Sequence, residues 1–211
     1  MSKEIARSKA AVIEFDGGKC IHSRHCVLDR PDVFVPNVEG EWIHPEKATP
    51  DELVALARNC PSGAIVTKRL DRGPGETAPP VNTVRVLENG PLAFRAELSV
   101  RGEAAGFRAT LCRCGRSQRK PYCDGSHAGA GFTATGEPPA RDSKALATRG
   151  GVLQVMPVRN GPLKVEGPVE VISGTGHTLN RAKSLFFCRC GHSKTKPYCD
   201  GSHEALGFVA D

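Results

Sequence analysis

Cys112 and Cys114 are separated by one residue, Cys123 follows after eight more, and His127 after three. The same spacing, C-x-C-x8-C-x3-H, recurs without gap or insertion at Cys188, Cys190, Cys199 and His203. Three thiols and an imidazole form a soft donor set that suits a transition metal. Cys112 and Cys114 can reach one metal if the chain turns at Gly115, which leaves Cys123 and His127 for a second. Asp124 is expected to cap a short helix that carries His127 in its first turn and ends near Gly131, with Gly207 in the equivalent place. An anionic site would then face free N–H groups at that helix start. Pro121 and Pro197 stiffen the approach to the third Cys.

A third cysteine set lies upstream. Cys20-Ile-His22-Ser23-Arg-His25-Cys26 is followed far downstream by Cys60-Pro61-Ser-Gly-Ala-Ile. Between them, Thr49-Pro50-Asp51-Glu52 reads as a capping box with Pro at the first helical position, and Leu53, Leu56, Ala57 and Cys60 follow at helical spacing. The spacing predicts a helix that delivers Cys60 towards Cys20 and Cys26.

The pattern C-x-C-x2-S-x3-P-x-C-D-G-S-H, complete in both copies down to Ser117 and Ser193, resembles the signature of the CDGSH iron–sulfur family, the NEET proteins. That resemblance implies one [2Fe-2S] cluster per motif, held by Cys112, Cys114, Cys123 and His127 and by Cys188, Cys190, Cys199 and His203. The tandem arrangement is similar to the NEET type in which one chain carries both clusters. Zinc is the alternative for a Cys3His set, but zinc knuckles and ribbons pair their thiols as C-x2-C or C-x4-C. Disulfides are disfavoured by nine cysteines, an odd number, and by the strain of bridging C-x-C.

The N-terminal set resembles the one-cluster bacterial-type ferredoxins with CPSGAI-like endings, except that Ser23 stands where their middle Cys would be. Three thiolates suit a [3Fe-4S] cluster, or a [4Fe-4S] cluster whose fourth iron takes Ser23, water or a neighbouring His such as His22 or His25. The alternatives are a ferredoxin-like shell without a cluster, or a zinc site lacking a clear fourth ligand.

The elements that must position these residues follow from pattern. Ala10–Phe15 alternates as a strand entering the Asp16-Gly-Gly turn, and Ile65 and Val66 begin a closing strand. Leu70 to Pro80 combines Gly and Pro as a linker, which gives domains at 1–70, 81–140 and 141–211 around a linker at 71–80. Val84 to Leu92 parallels Val155 to Leu163, each a strand, an Asn-Gly-Pro turn and a strand. Phe94–Val100, Val165–Ile172 and Leu185–Phe187 alternate likewise. Leu92 and Cys112 are 20 positions apart and Leu163 and Cys188 are 25, so five extra residues are expected in the second half's loop. Each half reads as a β-hairpin unit ending in a cluster loop and a short helix, too small to bury a core alone. The halves are therefore expected to pack as a pseudo-twofold pair, the alternative being two independent beads joined at Glu137-Pro-Pro-Ala. The fold class is α+β: a ferredoxin-like domain followed by two β-rich CDGSH units.

Composition bounds the function. Of 211 residues, 39% are hydrophobic and only 5% aromatic, so metal sites are expected to supply part of the stability. The first residues lack a signal or transit pattern and no apolar run reaches membrane length, which predicts a cytoplasmic protein of a reducing compartment. The net charge of +6 concentrates at Arg113, Arg116, Arg119 and Lys120 and at Arg189, Lys194 and Lys196, where cations would ease cluster reduction and steer an acidic partner. A merely solvated basic face is the bland alternative, and nucleic acid is disfavoured because no aromatics interleave. No Ser-His-Asp set, P-loop or dinucleotide fingerprint is present, so the chain reads as a non-enzymatic one-electron carrier. It is expected to be a monomer that meets a redox partner or an apo-protein acceptor. Cluster donation with pH or redox sensing, an enzyme using an open iron at the N-terminal site near Ser23, and a zinc-stapled interaction module are the rival functions.

Overall fold

The computed structural model describes residues 3–210. The chain divides after Thr77 into two compact units.

In the first unit, β1 (Lys3–Arg7), β2 (Ala11–Asp16) and β3 (Ile65–Arg69) form an antiparallel sheet in the order β1-β2-β3. Ala11, Ile13 and Ile65 turn inwards and meet Phe34, Leu53, Leu56 and Ala57 in one buried cluster. Helix α1 (His25–Asp29) is short; helix α2 (Pro50–Asn59) supplies the leucines. The predicted capping box is present: Thr49 N donates to Glu52 Oε2 (2.8 Å) and Glu52 N donates to Thr49 Oγ1 (3.4 Å). Thr49→Ala is expected to lower the stability of the first unit by about 1 kcal/mol, checked by the unfolding midpoint of its secondary structure.

The second unit has β4 (Thr83–Val86), β5 (Leu92–Val100), β6 (Glu103–Leu111), β7 (Val152–Pro157), β8 (Leu163–Ile172) and β9 (Thr178–Phe187), with α3 (Ser126–Gly129) and α4 (Ser202–Ala205). Each half has three strands rather than the two of a hairpin. The pairings β4–β5, β5–β6, β7–β8 and β8–β9 are antiparallel, whereas β4 joins β8 and β5 joins β7 in parallel. Both halves therefore share one sheet. Its apolar side is a single core containing Val84, Phe94, Leu98 and Leu111 from one half and Val155, Val165, Val171 and Phe187 from the other. Neither half closes a core alone, which rules out the two-bead arrangement.

The extra length of the second half is distributed. The β5–β6 turn is Arg101-Gly102, both at positive φ (57° and 84°), the requirement of a two-residue type I′ hairpin. The β8–β9 loop runs over 173–177, and β8 and β9 are each one residue longer than β5 and β6. The five extra residues are thus not all in the loop. Among the described residues no helix is long and apolar enough to cross a membrane.

Candidate metal centres

Each motif is held in place by strand pairing that continues past the sheet. Cys112 N donates to Pro121 O (2.8 Å) and Cys123 N to Thr110 O (2.9 Å), so Leu111 and Tyr122 form an antiparallel bridge. The second copy repeats this with Cys188 N to Pro197 O (2.8 Å), Cys199 N to Phe186 O (2.9 Å) and the Phe187–Tyr198 bridge. The pairing sets the first Cys of each motif opposite the Pro and the third Cys opposite the residue before the bridge, on either side of it. Ser117 Oγ donates to Tyr122 O (2.6 Å) and accepts from Arg119 N (3.0 Å), which closes the loop; Ser193 does the same for Tyr198 O (2.7 Å) and Thr195 N (3.1 Å).

The donors come in twos. Cys112 Sγ lies 3.7 Å from Cys114 Sγ, and Cys123 Sγ 3.3 Å from His127 Nδ1. The second site has 3.7 Å for Cys188–Cys190 and 3.4 Å for Cys199–His203. Two sulfurs on one tetrahedral metal, at bonds of about 2.3 Å, stand roughly 3.8 Å apart, so the residues present fit a metal per pair. Gly115 (φ 78°) and Gly191 (φ 87°) make the turn after the C-x-C segment. Backbone N–H groups reach the sulfurs: Arg116 N to Cys114 Sγ (3.4 Å), Gly125 N to Cys123 Sγ (3.5 Å) and Gly201 N to Cys199 Sγ (3.5 Å). Such donors stabilise thiolate character.

Protonation follows the same pairing. The hydrogen bond shared with Cys114 lowers the Cys112 thiol and raises that of Cys114. Burial pushes Cys123 up to about 11, raises Cys190 and Cys199, and lowers His127. The imidazole of His127 thus favours its neutral, ligating form, while the thiols release protons when metal binds.

The helix that carries His127 starts differently from the expectation. Its cap is Gly125 (φ 87°), not Asp124, and no side chain caps it. Asp124 instead accepts through Oδ1 from Ser126 N (3.0 Å) and Ser126 Oγ (2.6 Å), and through Oδ2 from Gln118 N (2.8 Å). Burial would raise this carboxyl, but those donors hold it below its ordinary value. Asp124 therefore ties the Cys123–His127 turn to the 115–121 loop, and Asp200 does so through Ser202 and Lys194 N. The helix ends as expected at a left-handed Gly131: Phe132 N donates to His127 O and Gly131 N to Ala128 O, the two bonds of a Schellman motif.

The two loops touch each other. A Cβ on Gly115 would lie 2.6 Å from Cys190 O, and one on Gly191 2.5 Å from Cys114 O.

The basic residues separate into two groups. Arg113 and Arg189, expected to tune the site or steer a partner, are each 1% exposed and so cannot meet a partner. Arg113 donates to Gly90 O, Leu87 O, Ala134 O and Thr135 O (2.6–3.2 Å), and Arg189 to Gly161 O, Val158 O and Ala210 O (2.6–3.2 Å). Burial lowers Arg113 to about 10, still charged at neutral pH. Lys120 and Lys196 reach back to Ser117 O and Ser193 O (2.7 and 2.6 Å). Arg116, Arg119 and Lys194 are exposed.

In the first unit, Cys20, Cys26 and Cys60 line one cavity of about 580 Å3 together with Ser23, His22 and Trp42. Burial raises Cys20 and Cys26. His22 N donates to Cys20 Sγ (3.4 Å), and Cys60 Sγ lies 3.6 Å from Ser62 Oγ. His22 (φ 54°) and Arg24 (φ 64°) bracket Ser23 in left-handed conformations, at a cost of order 1–3 kcal/mol each. His25 Nδ1 donates to Asn59 O (2.9 Å), tying α1 to the end of α2. Trp42 was missed by motif reasoning. Its signal was only that it is the chain's single tryptophan.

Comparison with known proteins agrees with this division. The family described as iron-binding zinc finger, CDGSH type, matches residues 84–128 and 160–204. The divergent 4Fe-4S mono-cluster family matches residues 7–69. A comparison with curated proteins finds no match. The chain is an iron–sulfur protein: an N-terminal, ferredoxin-like, divergent 4Fe-4S mono-cluster domain followed by two iron-binding CDGSH units.

Proposed function

We propose that this chain is a one-electron carrier with two [2Fe-2S] sites, on Cys112, Cys114, Cys123 and His127 and on Cys188, Cys190, Cys199 and His203, and a [3Fe-4S] or [4Fe-4S] site on Cys20, Cys26 and Cys60. The observation that carries the reading is the pairing of donors. Each motif presents two thiols at 3.7 Å and a thiol–imidazole pair at 3.3–3.4 Å, a two-and-two division that suits a pair of metals. Clusters bound there would supply one-electron chemistry, with the imidazole raising the potential above that of an all-thiolate site.

The protein's own residues fix the donors rather than react. Ser117, Ser193, Asp124 and Asp200 brace the loops, and the buried guanidiniums anchor them. Asp124, Asp200, Lys120 and Lys196 are committed to backbone partners, which supports a carrier without acid–base catalysis. The two CDGSH units form a pseudo-twofold pair within a monomer. Support comes from the reciprocal parallel pairings β4–β8 and β5–β7 and the mirrored approach of Gly115 and Gly191 to the opposite loop. Exposed Arg116, Arg119 and Lys194 suit an acidic redox partner in a reducing, cytoplasmic setting.

The test is iron, acid-labile sulfide and zinc per chain on anaerobically purified protein, with electron paramagnetic resonance spectra before and after dithionite. About seven or eight irons are expected. Zinc in place of iron overturns the proposal, and about four irons removes its N-terminal site.

A further inference from the structure

Strand β1 leaves one edge of its sheet open, and the ladder fixes which residues face outwards. Ser8 N donates to Ala11 O (2.9 Å) and Asp16 N to Ala64 O (2.8 Å). Bonding pairs alternate along an antiparallel ladder. With Glu4 opposite Phe15 and Ala6 opposite Ile13, it is therefore Glu4, Ala6 and Ser8 that bond to β2. Lys3, Ile5 and Arg7 turn their N–H and C=O groups to the open edge, and among the described residues no strand pairs there. The side chains divide in the same way. Ala6 packs on the buried cluster and Glu4 Oε2 accepts from Trp42 Nε1 (2.7 Å), which puts Lys3, Ile5 and Arg7 on the opposite face of the sheet. Ile5 is 67% exposed.

The edge forms one wall of a groove of about 550 Å3, and Trp42, Ile43 and Pro45 form the other. That second wall is held firmly. Ile43 bridges Phe34, Val35 N donates to Trp42 O (2.9 Å) and His44 N to Val33 O (2.8 Å), and the Trp42 ring stands edge-on to Phe15 at 5.0 Å. Glu4, Glu41 and Glu46 line the groove, whereas its one lining cation, Arg7, belongs to the strand face turned away from Trp42. In a chain of net charge +6 this is an acidic recess. Glu46 stands 3.6 Å from His44 Nδ1, while among the described residues Glu41 has no ion-pair partner. We propose that the β1 edge takes an extended segment of a partner protein as a fourth strand, with an apolar side chain against Trp42 and a Lys or Arg two residues to either side facing the carboxylates. Backbone bonds would supply the affinity and the alternating side chains the selectivity. The positions between them, over Lys3 and Arg7, suit acids. A second copy of β1 does not fit, because antiparallel pairing centred on Ile5 sets Lys3 opposite Arg7, and centred on Glu4 sets like carboxylates together. Glu4 and Trp42 also line the cavity of Cys20, Cys26 and Cys60, so the partner would stand beside the N-terminal site, whatever metal those thiols hold.

The probe is the fluorescein-labelled peptide Thr-Lys-Glu-Ile-Glu-Lys-Thr, titrated into the full chain as purified and followed by fluorescence anisotropy, with hydrogen exchange of Lys3–Arg7 measured alongside. The control Thr-Glu-Lys-Ile-Lys-Glu-Thr has the same composition with the charges exchanged between its two faces. The first peptide is expected to saturate with Kd below about 1 mM and to slow exchange in β1, and the control to bind at least about tenfold more weakly. Ile5→Pro removes an outward N–H that the pairing with β2 does not use and should abolish binding. Replacing both exposed groove acids, Glu41→Lys with Glu46→Lys, should weaken the first peptide at least about tenfold without touching the strand. No saturable binding, equal affinity for the two peptides, or wild-type affinity in either variant overturns the proposal. Slowed β1 exchange that appears without peptide, together with a dimer on gel filtration that Ile5→Pro dissolves, would give the edge to a second copy and overturn it too.

Discussion

Gly115→Ala is expected to lower the stability of the second unit by at least about 3 kcal/mol and to release iron from both CDGSH sites, not only from the one it belongs to. Two penalties combine. An alanine at φ 78° costs roughly 1–2 kcal/mol in the left-handed region. Its methyl would also meet Cys190 O at 2.6 Å and Cys190 C at 3.0 Å, backbone atoms that cannot rotate aside. The contact is mutual, since a methyl on Gly191 would meet Cys114 O at 2.5 Å, so Gly191→Ala should behave alike. Gly102→Ala supplies the control: it too has positive φ (84°), but nothing lies within 4 Å of its added Cβ. It should cost only the conformational penalty and leave iron binding intact. The measurement is the denaturant midpoint together with iron retained after gel filtration. Loss of about two irons rather than about four in Gly115→Ala would mean that the loops do not depend on each other.

That dependence is the part of the architecture least visible in the residues. Donor spacing, the Thr49 capping box and the left-handed ends at Gly131 and Gly207 are local, set by a few neighbouring residues, and were readable as such. Parallel pairing of β4 with β8 and of β5 with β7 is not local. Alternation marks which face of Val165–Ile172 is buried, but carries no record of which strand lies beside it. Strand β6 was missed because its outer half is exposed and Gly106 (φ 79°) interrupts the alternation where the β5–β6 register shifts. Strand β1 was missed because Lys3–Arg7 is almost wholly exposed. The Asp124 cap was misplaced by one residue: an Asp bonding two residues ahead looks the same in sequence whether it caps a helix or braces the turn before it.

The buried arginines were legible in a way that charge counting obscured. Arg113 and Arg189 are the same residue in both copies, whereas the exposed positions differ: Arg116 is answered by His192, Gln118 by Lys194 and Arg119 by Thr195. A charge repeated at one point of a duplicated loop, between two cysteines, signals a geometric demand. A charge that drifts between copies signals a solvated face. The same comparison separates the invariant serines, which close the loops, from their variable neighbours.

Arg113→Lys tests that demand and is expected to cost about 3–5 kcal/mol, comparable to breaking a buried ion pair. Arg113 stands between Cys112 and Cys114 in sequence, and its guanidinium ties their loop to two other segments. Nε holds Gly90 O (2.9 Å) and Nη2 holds Leu87 O (2.6 Å) of the β4–β5 turn, while Nη1 and Nη2 hold Thr135 O (3.2 Å) and Ala134 O (3.1 Å) beyond α3. Its charge also lies 5.3 Å from the centre of the Phe132 ring, the residue that closes the Schellman end of the His127 helix. A lysine keeps the charge but offers a single ammonium, which cannot span that planar fork. It would leave buried carbonyls unpaired at a cost of about 1–3 kcal/mol each. The turn and the helix end would then lose their common tie, and His127 would be less firmly placed than Cys112 and Cys114. Arg116→Gln, at an exposed position two residues after Cys114, should change stability by less than about 0.5 kcal/mol. Denaturant midpoints of the two variants decide the matter: a lysine at 113 within about 0.5 kcal/mol of wild type would show that the fork is dispensable, and that the arginine serves its charge after all.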